Sequence, residues 1–137
     1  YRGDNMRSGL TATSVSAKPR QAWKVKIAGK LTPPVIAGGK VFLAAVDAHT
    51  VHALDSKTGK TLWTYTAGGR VLTAPSLSAG LVLFGCQDGW VYCLPAKGGA
   101  LCWRFMAAPA HKQIIAFGQV ESPWPVTGGV VIKDGVG

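Results

Sequence analysis

Residues Gly38–Trp63, GGKVFLAAVDAHTVHALDSKTGKTLW, lie without a gap over Ser78–Trp103, SAGLVLFGCQDGWVYCLPAKGGALCW. The overlay sets Leu43 against Leu83, Val51 against Val91, Leu54 against Leu94 and Gly59 against Gly99. Both copies end on tryptophan, with Leu62 against Leu101–Cys102 at the approach. Trp23 extends the series, since 63 − 23 and 103 − 63 are both 40. Within each copy, short apolar runs alternate with turns rich in Gly and Asp, which is the pattern of strands joined by tight turns. A unit of this kind cannot cover its own apolar faces and is stabilised by stacking on its neighbours.

This period and content predict an all-β chain of β-propeller blades, each a four-stranded antiparallel sheet of roughly 40–45 residues. The 137 residues hold a little over three periods, fewer than the roughly 4–8 blades of a closed ring, so the expectation is a partial propeller. The final stretch, Val130–Gly137, reads as a strand and a turn with no partner strands after it. Open edges and half-covered faces would result, so a fragment of a longer polypeptide is expected, or a ring completed by further copies or other subunits.

Residues 1–22 are polar and turn-rich and read as an extended leader. Residues 23–28 begin with Trp23-Lys24-Val25-Lys26-Ile27, whose alternation predicts a half-exposed strand of a first blade. A blade is expected over 32–66 and another over 73–106, where Asp88-Gly89 is a strong hairpin signal. The pattern breaks over 107–119 (AAPAHKQIIAFGQ), an insertion between blades and a candidate functional loop. The next blade is expected over 122–137, because Ser122-Pro123-Trp124-Pro125-Val126 echoes Thr32-Pro33-Pro34-Val35.

The net charge is +9, and eight Lys and Arg face only Asp4 in the first forty residues. A solvated outer strand and leader accounts for this better than nucleic-acid binding, since no nucleic-acid motif accompanies the charge. An anionic surface is the other open reading of it. Cys86, Cys93 and Cys102 form no C-x-x-C pair, which removes zinc and thioredoxin-like readings. With Asp88-Gly89 as the turn, Cys86 is expected opposite Val91 and only diagonal to Cys93, roughly 7–8 Å away, so buried free thiols are expected. His49, His52 and His111 are too separated to form a ligand set. No apolar run reaches the ~20 residues of a membrane helix, and no membrane span is expected.

The most specific element is Ala53-Leu54-Asp55-Ser56-Lys57-Thr58-Gly59-Lys60-Thr61-Leu62-Trp63. Asp55 can accept from backbone N–H groups two residues on, Thr58 supports the same turn, and Gly59 supplies its left-handed position. Lys60 then resumes the strand, and Trp63 offers a flat face to the next blade and a ring N–H to bond. This stretch resembles the tryptophan-docking repeat of pyrroloquinoline-quinone-type (PQQ-like) β-propellers, A-L-[DN]-x-x-T-G-K-x-x-W. The second copy keeps Gly99 and Trp103 but has Pro95 for the Asp, Gly98 for the Thr and Ala100 for the Lys. Tyr1–Gly9 looks like the leader of bacterial members. Kelch and WD40 repeats fit less well, because no Trp-Asp pair closes either copy.

The resemblance implies one of two activities. Quinoprotein dehydrogenases of this type hold PQQ and a calcium ion on the propeller axis, with an Asp as base and often an adjacent cysteine pair. This sequence has no Cys-Cys, and Asp47, Asp55 and Asp88 sit in turns, which leaves Glu121 beside the insertion as the one carboxylate to watch. No cofactor is therefore expected here, and PQQ and calcium would enter only if other blades supplied the site. The favoured expectation is a non-catalytic scaffold for protein interaction or assembly, with Trp90, His111, Lys112, Glu121 and Trp124 as contact candidates. Resemblance also implies an extracytoplasmic place, periplasm or outer membrane.

Overall fold

The computed structural model describes residues 17–132. Among them there is no helix, and two four-stranded antiparallel sheets carry the architecture. The first sheet runs β1 (Val35–Ala37), β2 (Lys40–Ala45), β3 (Thr50–Asp55), β4 (Thr61–Thr66) in spatial as in chain order. The second repeats the meander with β5 (Ser76–Ser78), β6 (Leu81–Gly85), β7 (Trp90–Pro95) and β8 (Trp103–Met106). These are two propeller blades.

The blades pack face to face. Phe42, Ala44, Val51 and Ala53 of the first meet Val82, Phe84, Tyr92 and Leu94 of the second, with Trp63 and Tyr65 at the margin. The central strands β2 and β6 are buried along nearly their whole length because both of their faces are covered, which is why their sequences are apolar at successive positions. Phe84 stacks on Tyr92 at 5.3 Å between ring centroids, and Tyr65 closes on the pair at a tilted angle.

The register corrects the gapless overlay. Val35 pairs with Phe42, and Phe42 with Ala53; Ser76 pairs with Leu83, and Leu83 with Cys93. Phe42 thus corresponds to Leu83 and Gly39 to Gly80, 41 residues apart, whereas Val51 corresponds to Val91 and Trp63 to Trp103, 40 apart. Counted between paired residues, the β2–β3 connection (46–49) is one residue longer than the β6–β7 connection (87–89). A slip of one residue exchanges the two faces of a strand, so Leu43 matches Phe84 rather than Leu83. Cys86 accordingly lies opposite Trp90, to whose carbonyl its N–H donates at 3.0 Å, and not opposite Val91.

One further expectation is corrected, and two others gain a local structure. Residues 23–28 are not strand: Trp23 and Ile27 lie against Val41, Leu43 and Leu54, but no described neighbour offers them a ladder. The insertion is a hairpin, β9 (Ile114–Ala116) and β10 (Gln119–Glu121), turned at Phe117-Gly118. Residues 122–132 carry no assigned strand, although Val130 and Ile132 pack on Leu83 and Cys93. Most of the leader, residues 1–16, and the terminal 133–137 lie outside the described residues.

Candidate functional site

The two ends of the blades differ chemically. At one end lie the β3–β4 and β7–β8 turns. Asp55 accepts the N–H groups of Lys57 and Thr58 at 3.0 and 2.8 Å and the Thr58 hydroxyl at 2.9 Å. The Thr58 hydroxyl bond, first, and the backbone bonds hold the Asp55 carboxyl below its ordinary range. The Gly59 N–H donates to the Asp55 carbonyl at 2.9 Å, and Gly99 makes the same bond to Pro95 at 2.9 Å. The second turn therefore keeps its backbone form without the side-chain bonds. Lys60 and Lys97 are exposed beside these turns.

A tryptophan from the preceding repeat covers each turn. Trp23 donates from Nε1 to the Ser56 carbonyl at 2.9 Å, and Trp63 donates to the Ala96 carbonyl at 3.0 Å. Gly59 and Gly99 have φ of +70° and +67°, and each lies under the indole ring. A Cβ on Gly59 would stand 2.6 Å from the Trp23 ring, so glycine is required there both for conformation and for approach. Ala53 and Leu54 are buried behind the first turn. Trp103 has no described turn to cover and is 43% exposed.

The opposite end carries the β2–β3 and β6–β7 turns and the β9–β10 hairpin. Glu121 is buried and bonded to Arg70 at 2.5 Å, which holds the guanidinium in its charged form. Arg70 also lies 5.2 Å from the Phe117 ring, and the His49 imidazole is bonded to the Gln119 side-chain amide. The hairpin is thus tied back to the β2–β3 turn through His49 and to the segment after β4 through Arg70, across more than fifty residues of chain. Asp88 takes the Trp90 N–H at 3.1 Å and the Tyr92 hydroxyl at 2.5 Å, while that hydroxyl accepts from the Gly68 N–H at 3.3 Å. Burial, reinforced by the Asp88 carboxylate, pushes the Tyr92 phenol up, and burial pushes the Cys86 thiol up.

The expected contact residues are dispersed. Trp90 is half-buried under the Arg104 guanidinium, 4.3 Å from its ring. His111 and Lys112 are exposed before β9, Glu121 is buried beneath the hairpin, and Trp124 is 45% exposed beyond it. His52 is half-buried on β3, where burial lowers its pKa. Arg70, His49, Gln119 and Tyr92 hold this end together, yet none belongs to a short motif. The one local signal was Ile114-Ile115-Ala116-Phe117-Gly118-Gln119-Val120, two apolar runs around a two-residue turn containing Gly.

The described residues do not by themselves make a calcium site. Among them no three His, Cys, Asp or Glu side chains come together as a metal-holding group. Asp55, Asp88 and Glu121 each bond a different structural partner. No described helix is long and apolar enough to cross a membrane.

Blades of this order, with tryptophans seated on glycine turns, define a PQQ-like β-propeller. A family described as outer membrane protein assembly factor BamB matches residues 11–135, and the chain belongs to that family. BamB from Moraxella catarrhalis is similar at 32% identity and a TM-score of 0.53, over 61% of this chain and 26% of that one. A quinohemoprotein alcohol dehydrogenase from Comamonas testosteroni shares 25% identity at a TM-score of 0.54, over 67% of this chain and 17% of the enzyme. A europium-containing methanol dehydrogenase, at 22% identity and a TM-score of 0.60, covers 84% of this chain and 21% of its own and is a likeness of fold alone. The chain therefore spans about a quarter of the length of the BamB structure and about a fifth or less of the two dehydrogenases. No curated protein sequence matches the chain.

Proposed function

We propose that these blades belong to a non-catalytic interaction and assembly scaffold, working outside the cytoplasm at the periplasm or outer membrane. The observation that carries this reading is the use made of three of the four described carboxylates, the fourth, Asp47, being exposed in the β2–β3 turn. Asp55 ties a turn, Asp88 orients Tyr92 and Trp90, and Glu121 is locked to Arg70. Groups spent on holding the frame are not free to abstract a proton or to cage a cation. The family name, an outer membrane assembly factor, supports the same reading. On this reading the tryptophan-covered turns at residues 53–63 and 93–103 are docking joints that keep the blades rigid, and the opposite end meets partners.

Dehydrogenase chemistry is the second reading, favoured by the likeness to the quinohemoprotein alcohol dehydrogenase. Two assays, one in the producing cell and one on the purified protein, separate the readings. Reversible crosslinking in the producing cell is expected to yield a stoichiometric protein partner, with no dye reduction when PQQ, calcium and a primary alcohol are added. Cofactor-dependent dye reduction would overturn the scaffold. Salt-sensitive retention of duplex DNA would instead favour binding through the basic first forty residues.

A further inference from the structure

The β9–β10 hairpin is amphipathic in the reverse sense. Gln119 and Glu121, two residues apart on β10, turn their polar groups inward to His49 and Arg70. The intervening Val120 pairs with Ile115 on β9, and these two face outward, 50% and 83% exposed. At the tip Phe117 is 88% exposed and holds a φ of +52°, a left-handed conformation unfavourable for a bulky side chain. The two-residue turn to Gly118, itself at φ +73°, requires this conformation, and Arg70 lies against one side of the ring. The ion pair and the imidazole–amide bond thus turn the polar residues of β10 inward and leave Val120 and Ile115 toward water. Exposed apolar side chains gathered on one ordered element mark a contact site.

The surrounding charge limits what covers it. His111 and Lys112 precede β9 and are exposed, and Lys30 is exposed beside the β2–β3 turn that carries His49. Against them stands the exposed Asp47, whereas Glu121 is buried and already paired. A second copy of a chain carrying +9 would bring like charges together. An extended segment alternating apolar and acidic residues meets both requirements. It can lay its apolar side chains on Ile115, Phe117 and Val120 and its carboxylates beside Lys112 and Lys30.

We propose that the outward face of the β9–β10 hairpin, carried on the Arg70–Glu121 and His49–Gln119 ties, is a docking surface for an acidic, apolar segment of a partner protein. The proposal rests on the scaffold reading and locates its contact face.

The test is fluorescence anisotropy with the intact protein and a labelled peptide alternating Val and Glu, beside a peptide alternating Val and Lys. Saturable binding of the acidic peptide alone, weakened by salt, is expected. Val120→Lys and Phe117→Ser should each weaken it at least about tenfold while leaving the melting temperature unchanged, since both side chains already face water. Binding that both variants leave intact would overturn the hairpin assignment and keep the scaffold. Failure of the acidic peptide to bind would overturn the assignment as well, whatever partner the crosslinking recovers. Hairpin-dependent binding to phosphatidylglycerol vesicles without peptide binding would replace the protein partner by a lipid surface. Concentration-dependent dimerisation abolished by Val120→Lys would replace it by a second copy.

Discussion

Trp63 and Trp103 occupy the same place in successive blades and live in different surroundings. Trp63 lies over Gly99, donates to Ala96 and joins Phe42 at 5.9 Å in the core between the sheets. Trp103, with Phe105 two residues on, lines an open apolar groove of about 820 Å³ with Leu81, Leu83, Val130 and Ile132. Phe105 is 63% exposed, whereas its counterpart Tyr65 packs on Phe84 and Tyr92. The sequence of a blade makes it competent to be covered on this face, but coverage itself comes from the neighbour. A propeller blade is therefore stabilised in proportion to what stacks on it.

The comparison can be broken most sharply at the tryptophans. Trp63→Ala should cost about 3 kcal/mol in urea unfolding, because it empties an interblade contact and orphans a carbonyl. Trp103→Ala should cost less than about 1 kcal/mol, as expected of a largely exposed side chain. Equal losses would mean that Trp103 is covered in the folded protein in solution. Next come the glycines. Gly99→Ala should cost about 2 kcal/mol, since the methyl group both strains a left-handed backbone and meets the Trp63 ring. Gly38→Ala, at φ +54° but with open space around its Cβ, isolates the backbone part and should cost less.

A smaller effect separates the two turns. The folded-state pKa of Asp55 is depressed, so its contribution is present above the unfolded carboxylate value near 4 and is lost as pH falls through the lower, folded value. The melting temperature should drop over that acidic window, and Asp55→Asn should flatten the drop. Pro95 holds the equivalent place in the second blade, so no matching titration exists there. The smallest effect is chemical. Against the expectation of buried thiols, Cys102 is exposed while Cys86 and Cys93 are buried, so a thiol reagent should label Cys102 rapidly and leave the other two silent until denaturant is added. Burial raises the Cys86 and Cys93 thiols further above the reactive range.

Much of this was legible along the chain. The Trp spacing, the Asp55–Gly59 turn and the apolar runs at Val41–Ala45 and Leu81–Phe84 are local signals, and local signals survive in one dimension. The slip between the copies was not legible, because Leu43 fits either Leu83 or Phe84 by residue type and only pairing decides the face. Nor was the fate of Glu121. A lone carboxylate beside an insertion suggests chemistry, whereas its distance from Arg70, 51 residues back, is set by the folding of β9–β10 onto the segment between the blades.

By itself the sequence determined the repeat, the all-β class and the turns, since hydrophobic periodicity and the glycine conformations act over a few residues. Only the tertiary structure decided which tryptophan is covered, which carboxylate is buried and which face of the insertion meets water. Burial and ion pairing depend on what distant segments bring alongside, and no interval read along the chain contains that information.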